Sequence, residues 1–264
     1  MKLHPSSAAA ALALTGCSLV YPLDDYDRGG TGGGSSASAS GSSVQSGATS
    51  TAPSTGSGGE GGAPPCGAGI YPPATTLVDT FDDAASQQFF GCAQQTGGEL
   101  RVDLPASGDL YCISESELPY CMAASSITFQ VVEAATASIP GMQTWIIFRA
   151  ADDSGNLSLL IEGNGFRLLG DASGTPFEID IPNGTYDPFT NVWFRVAGEA
   201  GDAILSTSPD ALTWTERGRG PCPLDLDGVF VAFGANRYFN AMFPESANLP
   251  AETARFDCLN TPCP

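Results

Sequence analysis

From Cys66 onward the hydrophobic residues of this chain recur at every second position, in short runs broken by turn-forming clusters. That period admits little but β-structure. Ile127, Phe129 and Val131 alternate with Thr128 and Gln130; Val192, Phe194 and Val196 alternate with Trp193 and Arg195. Leu157-Leu159-Ile161 and Ala254-Phe256-Cys258 behave the same way. Between such runs lie Asp152-Asp153-Ser154-Gly155-Asn156 and Glu162-Gly163-Asn164-Gly165, residues that favour tight turns. About thirteen strand candidates result, and no stretch carries a convincing 3.6-residue apolar stripe. The pattern predicts an all-β antiparallel sandwich or barrel over residues 66–264, an ordinary length for one such domain.

Upstream of Cys66 the composition is different. Residues 29–65 are dominated by Gly, Ser, Ala, Thr and Pro, with Glu60 as the one charge. Such a segment cannot bury enough surface to offset backbone ordering, so a disordered tether reaching about 35 Å is expected. Before it, Met1-Lys2-Leu3-His4 is weakly positive, and the apolar run Ala8–Leu14 is too short to cross a bilayer. The run ends in Leu14-Thr15-Gly16-Cys17, which resembles the lipobox of bacterial lipoproteins. The resemblance implies a signal peptide over 1–16, acylation of Cys17, and a tether over 17–65 that ties the domain to the lipid bilayer. Ser18 stands where that family uses Asp to retain proteins at the inner membrane, so the outer membrane of the cell envelope is implied.

Charge and absent residue types narrow the chemistry. Lys2 and His4 are the chain's single lysine and histidine, and both fall within the signal. The remainder has nine arginines against 29 acidic residues, a net charge of −20. Such a chain repels phosphate backbones, which argues against nucleic acid as a partner. Without histidine or lysine there is no Ser-His-Asp triad, no imidazole base, no Schiff base and no P-loop. Carboxylate chemistry, or calcium held by oxygens, remains.

Seven cysteines follow Cys17: Cys66, Cys92, Cys112, Cys121, Cys222, Cys258 and Cys263. Export places them where disulfides persist, and the odd number leaves at least one outside an intrachain pair. Cys112 and Cys121 are close in sequence.

Three stretches carry a resemblance to a second family. They are Leu77–Asp83, then Trp193–Val196 with Ser206–Thr215, then Val229–Gly234 with Ala254–Asp257. Their order and spacing resemble the concanavalin A-like (LamG-like) jelly-roll sandwiches. That family's first and last strands pair antiparallel, which implies that Cys66 and Cys263 lie near one edge. It also implies a calcium position near Asp79 and Asp257; no other cofactor is implied. Phe177-Glu178-Ile179-Asp180-Ile181-Pro182-Asn183 resembles the Glu-Ile-Asp-Ile-x-Glu strand of laminarinase-type glycosidases, with Asn183 where the acid/base Glu would stand. Asn cannot cycle a proton at neutral pH, so no catalytic residue is assigned and the domain is expected not to be an enzyme.

Ser208-Pro209-Asp210-Ala211-Leu212-Thr213-Trp214 reads as a side-chain-capped hairpin turn. Trp145, Trp193 and Trp214 read as core, while Tyr238, Phe239 and Phe243 are the aromatics expected in an exposed, ligand-binding loop. The expected function is a surface-anchored, non-catalytic binding module for a neutral glycan. The alternatives are a structural or scaffold lipoprotein that binds an envelope protein, and a degenerate glycoside hydrolase-like domain.

Overall fold

The structure is a computed structural model, and it describes residues 66, 70–82, 88–106, 110–135, 142–237 and 251–262. The signal segment, Cys17, the tether, Tyr238, Phe239, Phe243 and Cys263 lie outside the described residues. Fourteen strands are present among those described. In chain order they are β1 (Phe89–Gly91), β2 (Gln94–Thr96), β3 (Glu99–Leu104), β4 (Leu110–Ser116), β5 (Ser126–Glu133), β6 (Met142–Ala150) and β7 (Gly155–Glu162). There follow β8 (Gly165–Ala172), β9 (Thr175–Ile179), β10 (Trp193–Glu199), β11 (Asp202–Ser208), β12 (Thr215–Pro221), β13 (Val229–Arg237) and β14 (Glu252–Asp257).

They form two seven-stranded antiparallel sheets, a jelly-roll sandwich. The front sheet has the order β1-β4-β13-β6-β7-β8-β9, and the back sheet β12-β11-β10-β5-β14-β3-β2. Local hairpins build β6 to β9 and β10 to β12; crossovers place β13 and β14, the last of the described strands, in the middle of opposite sheets. Two hairpins close through two-residue turns with positive φ at both centres, Ser173-Gly174 (52° and 80°) and Ala200-Gly201 (53° and 88°). That geometry matches the right-handed twist of the flanking strands.

The alternation read from the sequence becomes the core. Ile127, Phe129 and Val131 of β5, Phe194 and Val196 of β10, and Phe256 of β14 point from the back sheet into the sandwich. Leu157, Leu159 and Ile161 of β7 and Val229, Val231 and Phe233 of β13 meet them from the front sheet. Phe233 is the centre of an aromatic cluster, with ring centroids 4.9 Å from Phe256, 5.3 Å from Phe89 and 5.5 Å from Phe129. Burying each such ring contributes roughly 1.5–3 kcal/mol. At one open edge the sheets are drawn together: a Cβ on Gly218 of β12 would stand 2.5 Å from the Asp180 carbonyl oxygen, so glycine permits the chain after β9 to lie against β12.

Disulfides are present, in a pairing that spacing did not suggest. Cys66 bonds Cys121 and Cys92 bonds Cys112. Cys112 and Cys121 are therefore separated, because β4 carries Cys112 past β1, beside which Cys92 lies. Cys66 is engaged by Cys121 and so is not available to Cys263. Cys258 is also disulfide-bonded, and Cys222 is free and buried.

Candidate functional site

Every second side chain of the front sheet points away from the core, and registers fix which of these are neighbours. One row runs Glu115, Ala232, Ile147, Ser158, Leu169, Glu178 across β4, β13, β6, β7, β8 and β9. The next runs Ile113, Gly234, Trp145, Leu160, Arg167, and the third Tyr111, Asn236, Gln143, Glu162. The surface is unlike an ordinary solvated face, since Ile147 and Leu160 are buried although they lie outside the core cluster. Asn236 is fully buried on it.

Trp145 is fixed by its neighbour across β13: its Nε1 donates to Asn236 Oδ1 at 3.0 Å. This bond also fixes which way the Asn236 amide faces, because only its oxygen can accept from an indole N–H. The Asn236 Nδ2 is left buried with no hydrogen-bond partner, and so is Oε1 of Gln143, the residue directly opposite on β6. Tyr111 flanks Asn236 on the other side. One stretch of the face thus holds two aromatic side chains and two carboxamides within three adjacent strands.

Further along, the face reaches a cavity of ≈ 580 Å³ lined by Leu160, Glu162, Arg167, Glu178, Asp180 and Ile181 among others. Arg167 spans its wall, with Nε 2.9 Å from Glu178 Oε1 and Nη2 3.4 Å from Oε2. At the opposite end Arg149 holds Glu115 through two 2.8 Å bonds, pairs with Asp153 and lies 4.6 Å from the centre of the Phe230 ring.

The residues singled out in the sequence are distributed as follows. Glu178 sits on β9, the edge strand of the front sheet, and points outward. Asp180 lines the same cavity, but β9 ends at Ile179 and Asn183 occupies a turn with φ 57°, off the strand altogether. Asp79 and Asp257 are brought to one seam, where Asp79 N donates to Leu259 O at 3.2 Å and Leu259 N to Asp79 O at 2.8 Å. Burial pushes both carboxyls up from the usual range, and the nearby Asp82 charge adds to it. Phe81 N donates to Asp79 Oδ1 at 2.7 Å, while Oδ2 is buried without a partner. Among the described residues no group of three or more His, Cys, Asp or Glu is placed to hold a metal ion.

Of the three tryptophans expected in the core, Trp193 is buried, whereas Trp145 and Trp214 are partly exposed. Trp145 lies on the outward face of the front sheet, and Trp193 is opposite in phase to Phe194 and Val196. Trp214 lies 4.5 Å over the Arg195 guanidinium, with its Nε1 bonded to Ala211 O at 3.0 Å. Asp210 caps this turn by accepting from the backbone of Leu212 and Thr213 at 2.9 and 2.8 Å. Gln143 and Asn236 escaped the sequence reading. Their signal was phase: Trp145 and Gln143 alternate with Ile146, Phe148 and Met142, and so belong to the face away from the core.

No protein-family model matches the chain, and no curated protein matches it. Solved structures do. A prokaryotic β-1,3-1,4-glucanase (lichenase) from a mouse hindgut metagenome superposes with a TM-score of 0.52 at 9% identity, covering 69% of this chain and 96% of its own. A Bacillus licheniformis β-glucanase gives 0.52 at 9% identity, over 69% and 95%. An endo-acting O-glycanase of the human gut microbiota gives 0.50 at 8% identity, over 69% and 97%. At these identities the likeness is one of fold, the concanavalin A-like jelly roll. It also corrects the expectation that the domain is not an enzyme, since these three structures are, by name, glucanases and an O-glycanase. The physical reason is that the expectation rested on Asn183, which lies in a turn off β9, while the carboxyl groups that glycosidic cleavage asks for are present in Glu162, Glu178 and Asp180 of one cavity.

Proposed function

We propose that this chain is an envelope-anchored, glycan-directed domain that takes a neutral polysaccharide across the outward face of its front sheet. The observation that carries the reading is Trp145, held by Asn236, which itself lies between Gln143 on one neighbouring strand and Tyr111 on the other. Aromatic rings cover the apolar faces of sugar rings, while carboxamides exchange hydrogen bonds with hydroxyls. From Tyr111 to Asp180 the track crosses six strands, about 24 Å at about 4.8 Å per strand, which suits an extended chain. The surplus of acid over base favours an uncharged ligand over an anionic one. Acylation of Cys17 and a tether of about 35 Å would let the domain sweep a volume above the membrane, raising effective concentration for a weak ligand.

The test is affinity electrophoresis of the purified protein through gels containing soluble mixed-linkage β-1,3-1,4-glucan. Retardation is expected, and Trp145→Ala should abolish it; a protein that runs unretarded, or a variant retarded as strongly as the parent, overturns the reading. A second reading, hydrolysis of the bound chain, is favoured by Glu162, Glu178 and Asp180 lining one cavity. Release of reducing ends from the same glucan, lost in Glu178→Gln, would support it.

A further inference from the structure

Gln143 and Asn236 face each other directly across β6 and β13 and leave one acceptor, Oε1, and one donor, Nδ2, buried and unanswered. Native proteins rarely tolerate such a pair, because each buried polar atom left without a partner carries a full desolvation cost. The two atoms are complementary in kind yet do not bond each other. Asn236 cannot turn to correct this, since Trp145 holds its Oδ1. Gln143 is the adjustable member: its residue is half-buried and its longer side chain has more rotatable bonds.

We propose, resting on the glycan reading above, that this pair is a hydroxyl-reading subsite: one sugar hydroxyl accepts from Asn236 Nδ2 and donates to Gln143 Oε1, as the Gln143 side chain swings to admit it. A hydroxyl is the group that both accepts and donates at one oxygen, which is what the pair lacks. A carboxylate accepts only and an ammonium donates only, so either would leave one of the two atoms unanswered. The subsite therefore selects a neutral sugar with a free hydroxyl at the position read, and it discriminates against uronic acids and against sugars methylated or acylated there. A site built to bond a hydroxyl rejects an analogue lacking it far more strongly than an apolar pocket does.

The experiment uses the full chain and soluble mixed-linkage β-1,3-1,4-glucan, with a permethylated sample of the same glucan as counter-probe. Asn236→Asp keeps the Oδ1 that Trp145 needs and replaces the donor with an acceptor. Gln143→Met keeps the length of the side chain and removes the acceptor. Each should weaken binding about 5- to 100-fold, the double variant should lose less than the product of the two, and the permethylated glucan should not bind the parent protein. Thermal melts of the variants are run alongside; should Asn236→Asp fail to fold, Gln143→Met and the permethylated glucan still decide. If both variants bind as the parent does while Trp145→Ala has lost binding, the subsite is wrong and the face reading stands. If Trp145→Ala binds normally or the parent binds no glucan, the face reading falls and the subsite with it.

Discussion

Arg149 of β6 reaches over β13 to hold Glu115 of β4, with Nε and Nη2 each 2.8 Å from a carboxylate oxygen. The strand it crosses presents Ala232 directly opposite Glu115, and its Phe230 ring lies beneath the guanidinium. The planar fork makes two parallel bonds and a ring contact together, and the hydrogen bonding it donates to the Glu115 carboxylate is the main reason the Arg149 guanidinium is held above its ordinary pKa. Arg149→Lys keeps the charge and loses both the fork and the stacking, so it should destabilise the protein by about 1–2 kcal/mol in urea unfolding. A lysine variant of parental stability would show that the pair contributes charge alone.

The Asp79 carboxyl makes stability depend on pH in a definite direction. Burial raises its pKa in the folded protein above the unfolded value. Its contribution is therefore fully present below the unfolded pKa, about 3.9, and is lost as pH rises through the folded value. Asp79→Asn keeps the acceptor for Phe81 N and removes the charge. At pH 7 the variant should be more stable than the parent by about 1 kcal/mol, and the gap should close near pH 3.5. Thermal melts across that range measure it; a gap that widens in acid refutes the assignment.

Tyr186 is buried against Phe194, with ring centroids 6.4 Å apart and its hydroxyl without a partner. Burial pushes its pKa up to about 12. Tyr186→Phe deletes an unanswered polar atom and keeps the packing, so stability should be unchanged or rise by about 0.5–1 kcal/mol. A loss greater than this would mean that the hydroxyl is bonded in solution.

Phe233 joins the two sheets through Phe256 and Phe129. Phe233→Ala should cost about 3–5 kcal/mol, transfer and cavity together, and lower the thermal midpoint accordingly. Circular dichroism should still report the same sheet content at low temperature, because the strand ladder does not depend on the ring.

Strand positions were legible wherever one face is buried. The alternation in β5, β7, β10 and β14 states its own register, because a slip of one residue would turn the apolar set outward. The candidate face was illegible for the same reason. Alternation marks Gln143 and Trp145 as pointing away from the core, and in one dimension that looks identical to pointing at bulk water. Only the placement of β13 between β4 and β6, two crossovers distant in sequence, sets Asn236 between Tyr111 and Gln143. The Glu178–Asn183 stretch is a different case: it resembles the glycosidase strand in sequence, but β9 is an edge strand that ends at Ile179 and Asn183 lies in a turn, so the two positions that the glycosidase pattern would pair do not share a ladder. Cysteine pairing, too, depends on which strands become neighbours, and spacing holds no record of that.

The bond between Cys66 and Cys121 has a mechanical meaning. Tension applied to the chain upstream of Cys66 passes through sulfur into Cys121, at the threshold of β5, and bypasses the 55-residue loop between them. The short strands β1 and β2, which have few hydrogen bonds to resist shear, lie inside that loop. Pulled from its N-terminal side, the sandwich would carry load on the long central strands first, and reduction of one disulfide would convert a shear-loaded body into one that peels from its weakest edge.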